Sequence, residues 1–273
     1  GAKDEVVEII QTATDETLYF FTNRGNCFML DVTRIPETMK LKDRGSLLTG
    51  LIAGLADHEH AVALVCVKSD EMAKKGDFLF ITKNGQVKRT AAAEYGIRRA
   101  RFAAINLKGN DELVGMVQVD PEDKDDIILI TQLGMALRFK LDTVSCTGRA
   151  TAGVRGIDVG KDDEVRWFEI PKAGDMLFVL SDRGFGKRML SDDVERQGRA
   201  GKGQKLLPMN KTGETGTQVA VCLNVTGAKS VRVEQKHGHT VLLNMDEIAV
   251  ERRASKGQLL VNVLLDDVVQ YGA

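Results

Sequence analysis

The sequence predicts an all-β protein of five repeats, each about 50 residues long. Three observations carry that prediction. A turn motif of Thr or Ser, two residues and Gly sits between β-rich runs. It recurs as Thr22-Asn23-Arg24-Gly25, Thr82-Lys83-Asn84-Gly85, Thr131-Gln132-Leu133-Gly134, Ser181-Asp182-Arg183-Gly184 and, with Gln leading, Gln235-Lys236-His237-Gly238. Its glycines stand 60, 49, 50 and 54 residues apart. A second motif keeps step behind the hairpins: Arg149-Ala150-Thr151-Ala152-Gly153, Arg199-Ala200-Gly201-Lys202-Gly203 and Arg253-Ala254-Ser255-Lys256-Gly257. Arg99-Ala100-Arg101-Phe102-Ala103 reads as a copy without its last glycine. Finally, no stretch of convincing length places its apolar residues at the helical period.

The elements follow in order. The first repeat, residues 5–66, holds the turn at Gly25 and a looser second motif at Asp43-Arg44-Gly45. In the second, 67–119, strands 78–82 and 86–90 flank Asn84-Gly85, a strong signal for a type I′ turn with positive φ at both residues. A further strand is predicted over 112–119. The third repeat, 120–170, places strands at 127–131 and 164–170, and the fourth, 171–223, at 176–181 and 218–223. The fifth, 224–270, opens its hairpin at 231–235. In the second hairpin strands, alternation puts Val87 or Leu137 on one face and Lys88 or Arg138 on the other. Four short antiparallel strands per repeat predict a radial, propeller-like array in one domain spanning 1–273. Most of the 27 glycines are then turn and strand-crossing residues.

Composition bounds function. The chain has 273 residues, 38 basic and 39 acidic side chains and a formal charge of −1, which excludes a disordered tail, a collagen-like repeat and a disulfide scaffold. The four cysteines, Cys27, Cys66, Cys146 and Cys222, lie far apart among apolar or β-branched neighbours and read as buried, reduced thiols of a cytoplasmic protein. The longest apolar stretch, 47–56, is about half of a membrane span. His58, His60, His237 and His239 lack a third ligand at metal spacing, and the acidic run 120–126 lacks the turn glycine of a calcium loop. No nucleotide loop or hydrolase motif occurs. No cofactor or metal is expected.

The near-zero net charge hides strong local imbalance. Residues 83–101 hold six basic side chains against Glu94 alone, while 111–126 hold seven acids against Lys124. Residues 182–205 hold seven basic side chains and four acids. Basic residues collect in the second hairpin strand and the loop behind it, acids in the intervening turns. A recurring basic edge suits sequence-independent contact with the duplex backbone. No aromatic ladder interleaves it, which argues against single-strand stacking.

At these residues the sequence resembles a known family. The hairpin and the Arg-x-x-x-Gly loop together resemble the C-terminal domain of DNA gyrase A and its topoisomerase IV relatives. Thr151-Ala152-Gly153-Val154-Arg155-Gly156-Ile157, Asn84-Gly85-Gln86-Val87-Lys88-Arg89 and Gly109-Asn110-Asp111-Glu112-Leu113-Val114-Gly115 carry the likeness, which runs from about residue 5 to 269. The resemblance implies a β-pinwheel whose blades exchange strands. It also implies a non-catalytic domain of an ATP-dependent type II topoisomerase, located in the bacterial cytoplasm at the nucleoid. Double-stranded DNA would wrap around a basic rim and so be presented for strand passage and negative supercoiling. The other partners implied are the rest of gyrase A, and gyrase B, in a heterotetramer, with the isolated domain monomeric. The backbone contacts expected are Lys88, Arg89, Arg99, Arg101, Arg138, Arg155, Arg188, Arg199, Lys202 and Arg253.

The family's signature box reads Gln-Arg-Arg-Gly-Gly-Lys-Gly. Its nearest match here is Gln197-Gly198-Arg199-Ala200-Gly201-Lys202-Gly203, which differs at Gly198 and Ala200 and falls in the fourth repeat. Either the first blade and its box lie upstream with the catalytic part, and this is a later copy, or this segment acts as the box itself. A topoisomerase IV domain that binds DNA with little wrapping, and a propeller-type protein scaffold, are the alternative readings.

Overall fold

The computed structural model describes residues 8–38 and 45–273. The start of the first repeat and Asp43-Arg44 of its second motif lie outside the described residues. The described residues group into two compact units. The first comprises residues up to 122, apart from the turn 83–86, together with 145–153. The second holds that turn, 123–144 and 154–273.

Apolar, β-branched runs form the strands of the first unit. β1 (Thr17–Thr22) pairs antiparallel with β2 (Asn26–Asp31) on one side and β3 (Ala61–Val67) on the other. β4 (Asp77–Thr82) is likewise flanked by β5 (Gln86–Ala91) and by a strand from further along, β7 (Leu113–Val119). Between those last two in sequence runs β6 (Arg101–Ala103), which leaves its own repeat to pair with β2 of the preceding one. The first sheet therefore has the order β3-β1-β2-β6, and the exchange implied by the resemblance is present.

The second unit repeats the plan. Its strands are β8 (Asp126–Thr131), β9 (Met135–Lys140), β10 (Val154–Arg155), β11 (Val165–Glu169), β12 (Met176–Ser181), β13 (Phe185–Leu190), β14 (Gln204–Lys205), β15 (Val219–Asn224), β16 (Ser230–Gln235), β17 (Thr240–Asn244), β18 (Gln258–Leu259) and β19 (Val269–Gly272). Two sheets have the orders β11-β8-β9-β14 and β15-β12-β13-β18, so β14 and β18 each complete the sheet of the repeat before them. The last sheet, β17-β16-β19, has three strands rather than the expected four. No strand in the described residues supplies the edge that β14 and β18 cover elsewhere.

The turns depart from the type I′ expectation. Glycines 25, 85, 134, 184 and 238 all have positive φ, but Asn84 does not. Instead the Gly25, Gly134 and Gly184 N–H groups close onto the carbonyls of Thr22, Thr131 and Ser181 at 2.9, 2.9 and 3.1 Å. This is a type I turn followed by a left-handed glycine, the three-residue hairpin with a bulge. It also explains the leading hydroxyl. Thr22 Oγ1, Thr131 Oγ1 and Ser181 Oγ accept the N–H of Asn26, Met135 and Phe185 at 3.3, 3.1 and 3.2 Å, which satisfies the donor that the bulge leaves free.

Packing on both sheet faces overrides the predicted alternation. Val87 and Lys88 point to opposite faces and both are fully buried. In the first unit Phe21 meets Phe78, Phe80 and Tyr95 edge-to-face, 5.6 Å from the last two, and Tyr19 belongs to the same core. In the second, Ile128, Ile130, Leu177 and Val179 fill one core, and Phe178, Leu180, Val231 and Val233 another. Among the described residues, helix is confined to Leu48–Leu51, to a seven-residue 3-10 segment, Ser69–Lys75, between β3 and β4, and to short 3-10 turns behind the second hairpin strands. Among the described residues no helix is long and apolar enough to cross a membrane.

Candidate nucleic-acid interface

Each Arg-x-x-x-Gly loop is tied to backbone on both of its sides. The Arg149, Arg199 and Arg253 guanidiniums donate to the carbonyls of Ala103, Arg155 and Lys205, the last two at 2.6 and 2.9 Å. Those carbonyls occupy one equivalent position, the last residue of the exchanged strand that precedes in sequence. Just before each loop, Thr147, Gln197 and Glu251 donate their N–H to the carbonyls of Arg89, Arg138 and Arg188, each at 2.8 Å. Consecutive repeats are therefore joined by backbone and guanidinium hydrogen bonds as well as by exchanged strands.

Two of the expected DNA contacts are corrected by burial. Lys88 has no exposed surface, and its ammonium donates to Tyr95 Oη, the Ala104 carbonyl and the Arg149 carbonyl at 3.0, 2.8 and 2.6 Å. It lies 5.0 Å from the Phe80 ring centroid. Lys187 is its counterpart one unit further on, donating to the carbonyls of Arg252, Arg253 and Ser255. Burial lowers both lysines to about 8. Arg89 is also buried, and its Nε pairs with Asp77 at 2.7 Å. Alternation put Lys88 on a polar face, but the Arg149 loop covers that face, and the backbone at 120–121 closes over Arg89 on the other.

Two further residues of the expected set are largely committed to internal partners. Arg138 is half-buried and shares Asp126 Oδ2 with Arg196, at 2.7 and 2.9 Å. Burial alone would raise the Asp126 carboxyl, but the hydrogen bonds from Arg196 and Arg138 outweigh it and hold the group below the usual carboxylate range. Arg188 Nε donates to the Ile248 carbonyl at 2.7 Å. These arginines fasten a strand to the following loop.

What remains exposed recurs at equivalent places in each unit. Arg99 and Arg101 in the first unit, and Arg155 and Lys202 in the second, are all exposed. Arg199 and Arg253 are half-buried. Sequence reasoning passed over Arg98, Lys205 and Lys256, which are exposed on the same loops and exchanged strands. Two signals were available: Lys202 and Lys256 share the fourth place of their motif, and Arg155 and Lys205 share the second place of the exchanged strand. Strand pairing also resets one alignment. Ala103 pairs with Asn26 as Lys205 pairs with Met135 and Leu259 with Phe185. Arg101 thus holds the place of Gly203 and Gly257, and Ile97 holds the place of the loop arginine.

The box-like segment is one of these loops. Gln197, Gly198 and Lys202 are exposed, while Arg199, Ala200, Gly201 and Gly203 are half-buried. Ala200 adopts φ 72°, a left-handed conformation that glycine holds without strain. The Ala200 N–H donates to the Gly156 carbonyl at 2.7 Å, and the Gly201 carbonyl accepts from Asp158 N–H at 2.9 Å, so the loop is pinned. Gly203 leaves no room for a side chain, since a Cβ there would lie 2.3 Å from the Ala136 carbonyl oxygen. The thiol expectation holds for Cys27 and Cys222, whose burial raises them, but Cys66 is half-buried and Cys146 exposed. At the hairpin turns, Asp163 and Asp182 cap the N–H groups of Leu133 and Thr217.

Strand-exchanged antiparallel sheets joined by cation-bearing loops define the β-pinwheel class of repeat protein. The family model described as the DNA gyrase C-terminal domain, beta-propeller, matches residues 76–120, 125–172 and 175–216. DNA gyrase A of Deinococcus deserti is 32% identical over 273 residues, covering 98% of this chain and 33% of the relative. Its Helicobacter pylori counterpart is 31% identical over 264 residues, covering 95% of this chain and 31% of the relative. The crystal structure of the C-terminal domain of DNA topoisomerase IV superposes with a TM-score of 0.85 at 25% identity, covering 95% of this chain and 79% of that one. A structure of the DNA gyrase A C-terminal domain gives 0.70 at 19% identity, covering 96% and 83%. The chain belongs to the DNA gyrase A C-terminal domain family. It spans about a third of the length of the curated relatives it matches.

Proposed function

We propose that this domain binds duplex DNA without regard to sequence and wraps it for a gyrase. Arg98, Arg99, Arg101, Arg155, Lys202, Lys205 and Lys256 contact backbone phosphates. The observation that carries this reading is their recurrence, exposed, on one loop-and-strand element while other cations of the same repeats are buried as structural donors. Phosphate contacts of this kind position a duplex and carry no base readout. Bending 20–30 bp through 40–90° costs on the order of 1–6 kcal/mol, and contacts spread over several repeats offset that cost where a single patch does not.

On this reading the domain is non-catalytic. It works in the nucleoid with the rest of gyrase A and with gyrase B, presenting a neighbouring DNA segment for strand passage. The test is ligation of relaxed circular DNA with increasing protein, followed by measurement of linking number. A positive shift that grows with stoichiometry is the expected result. The second reading, a topoisomerase IV domain that binds without wrapping, is favoured by the 0.85 superposition and by Gly198 and Ala200 in the box-like loop. Binding with no linking-number change would select it.

A further inference from the structure

The second unit contains a cleft of about 510 Å³ whose chemistry differs from that of an extended phosphate path. Leu133, Met135 and Met209 give it an apolar lining. Lys202, Lys205 and Lys211 converge on it from the box-like loop, from β14 and from the loop that follows β14. All three lysines are exposed, and none makes an ion pair among the described residues. Asp158 and Asp163 also line the cleft and offer carboxylate acceptors.

The volume lies in the range of small-molecule sites, which combine an apolar body with a few convergent polar groups. Three unpaired ammonium groups suit more than one phosphate, since a single phosphate is saturated by fewer. Two methionine thioethers and a leucine suit a flat ring, because polarizable sulfur packs well against aromatic systems. The carboxylates suit the N–H and O–H donors of a base or a ribose. We infer that this cleft binds a nucleoside polyphosphate, with the base against Met135 and Met209 and the phosphates on Lys202, Lys205 and Lys211. Glycines 213 and 216, both at positive φ, shape the loop that carries Lys211, and reciprocal hydrogen bonds between Asn210 and Thr215 hold that loop closed. The cation array thus sits on a fixed frame. Lys202 and Lys205 also belong to the proposed duplex edge, so a bound nucleotide competes with DNA for them. That regulatory consequence rests on the proposed function, whereas nucleotide binding does not.

The test is calorimetric titration of the whole chain with ATP, adenosine and inorganic tripolyphosphate, alongside NMR of methyl-labelled methionines. ATP should bind at least about tenfold more tightly than either fragment, a difference of about 1.4 kcal/mol. The methyl signals of Met135 and Met209 should move while those of Met72 and Met245, buried in other cores, stay fixed. Lys211→Ala should weaken ATP about tenfold and leave the fold intact, because that side chain is exposed. Equal affinity for ATP and tripolyphosphate would mean diffuse anion attraction and overturn the assignment. So would the absence of saturable binding, or shifts spread over all methionines. Duplex affinity measured on the same samples separates the two proposals. DNA binding without nucleotide binding sinks only the cleft, and nucleotide binding without DNA binding sinks only the wrapping role.

Discussion

Lys88 and Lys187 show that a recurring cation in these repeats can be wholly structural. Each ammonium supplies the donors that loop carbonyls would otherwise lack in a dry interior. Lys88→Met keeps the aliphatic volume but strips the Arg149 carbonyl of that partner. The variant should lose about 2 kcal/mol of stability by urea denaturation and bind duplex unchanged per folded molecule. A drop in duplex affinity without a stability change would return Lys88 to the binding surface. The pH dependence has a definite sign. With a folded value of about 8 against 10.5 unfolded, the unfolded chain holds more protons between those limits. Wild-type stability relative to Lys88→Met should therefore rise with pH across that window, by at most about 1.4 kcal/mol per unit. A falling difference would show that the carbonyl acceptors hold the lysine charged despite its burial. Ala200 makes the opposite kind of case. Its left-handed backbone costs about 1–2 kcal/mol, partly offset by the greater freedom glycine gains when unfolded. Ala200→Gly should raise stability by about 0.5 kcal/mol in the same assay.

At the scale of the element, the hairpin and its loop were legible because two local chemistries repeat. The left-handed glycine and the leading hydroxyl are both demanded by the bulged turn, so they recur at every copy that needs them. Strand positions followed to within a residue. The partner of each strand was not legible in the same way. Exchange places β14 against β9 and β18 against β13, and nothing in a two-residue strand such as Gln204–Lys205 announces a partner across an intervening hairpin. For the same reason Lys88 and Arg89 were expected to be exposed, whereas segments that follow their own hairpin cover them, 149 over Lys88 and 120–121 over Arg89. Gly184 joins the two levels. Its φ is 83°, and a Cβ would lie 2.0 Å from the Val261 carbonyl oxygen, on the segment that continues β18. Gly184→Ala should cost about 3 kcal/mol or more and lower the thermal midpoint, through strain in the turn and displacement of the exchanged strand. A neutral result would mean that the close approach relaxes freely, and strand exchange would then not depend on the glycine.

For the whole molecule, the division of cations between structural and exposed sets changes what a charge count predicts. A formal charge of −1 gives no hint of DNA binding, and even the basic segments overstate it, since Lys88, Arg89 and Lys187 are buried and Arg138 and Arg188 are internally engaged. Binding that rests only on the exposed set involves few phosphates and is correspondingly salt-sensitive. Each neutralised phosphate contributes about 0.9 to the slope of log affinity against log salt. Replacing Arg99, Arg101, Lys202 and Lys205 by alanine should flatten that slope by about 3 to 4 if each contacts one phosphate, with the thermal midpoint nearly unchanged because all four side chains are exposed. Replacing Arg138 and Arg188 should do the reverse, lowering stability while leaving the slope within one contact of wild type. Both measurements, duplex titration at several salt concentrations and thermal unfolding, are made on the same two variants. If the buried pair moved the slope and the exposed four did not, DNA would have to approach another face of the sheets, and the loop-edge model would fall.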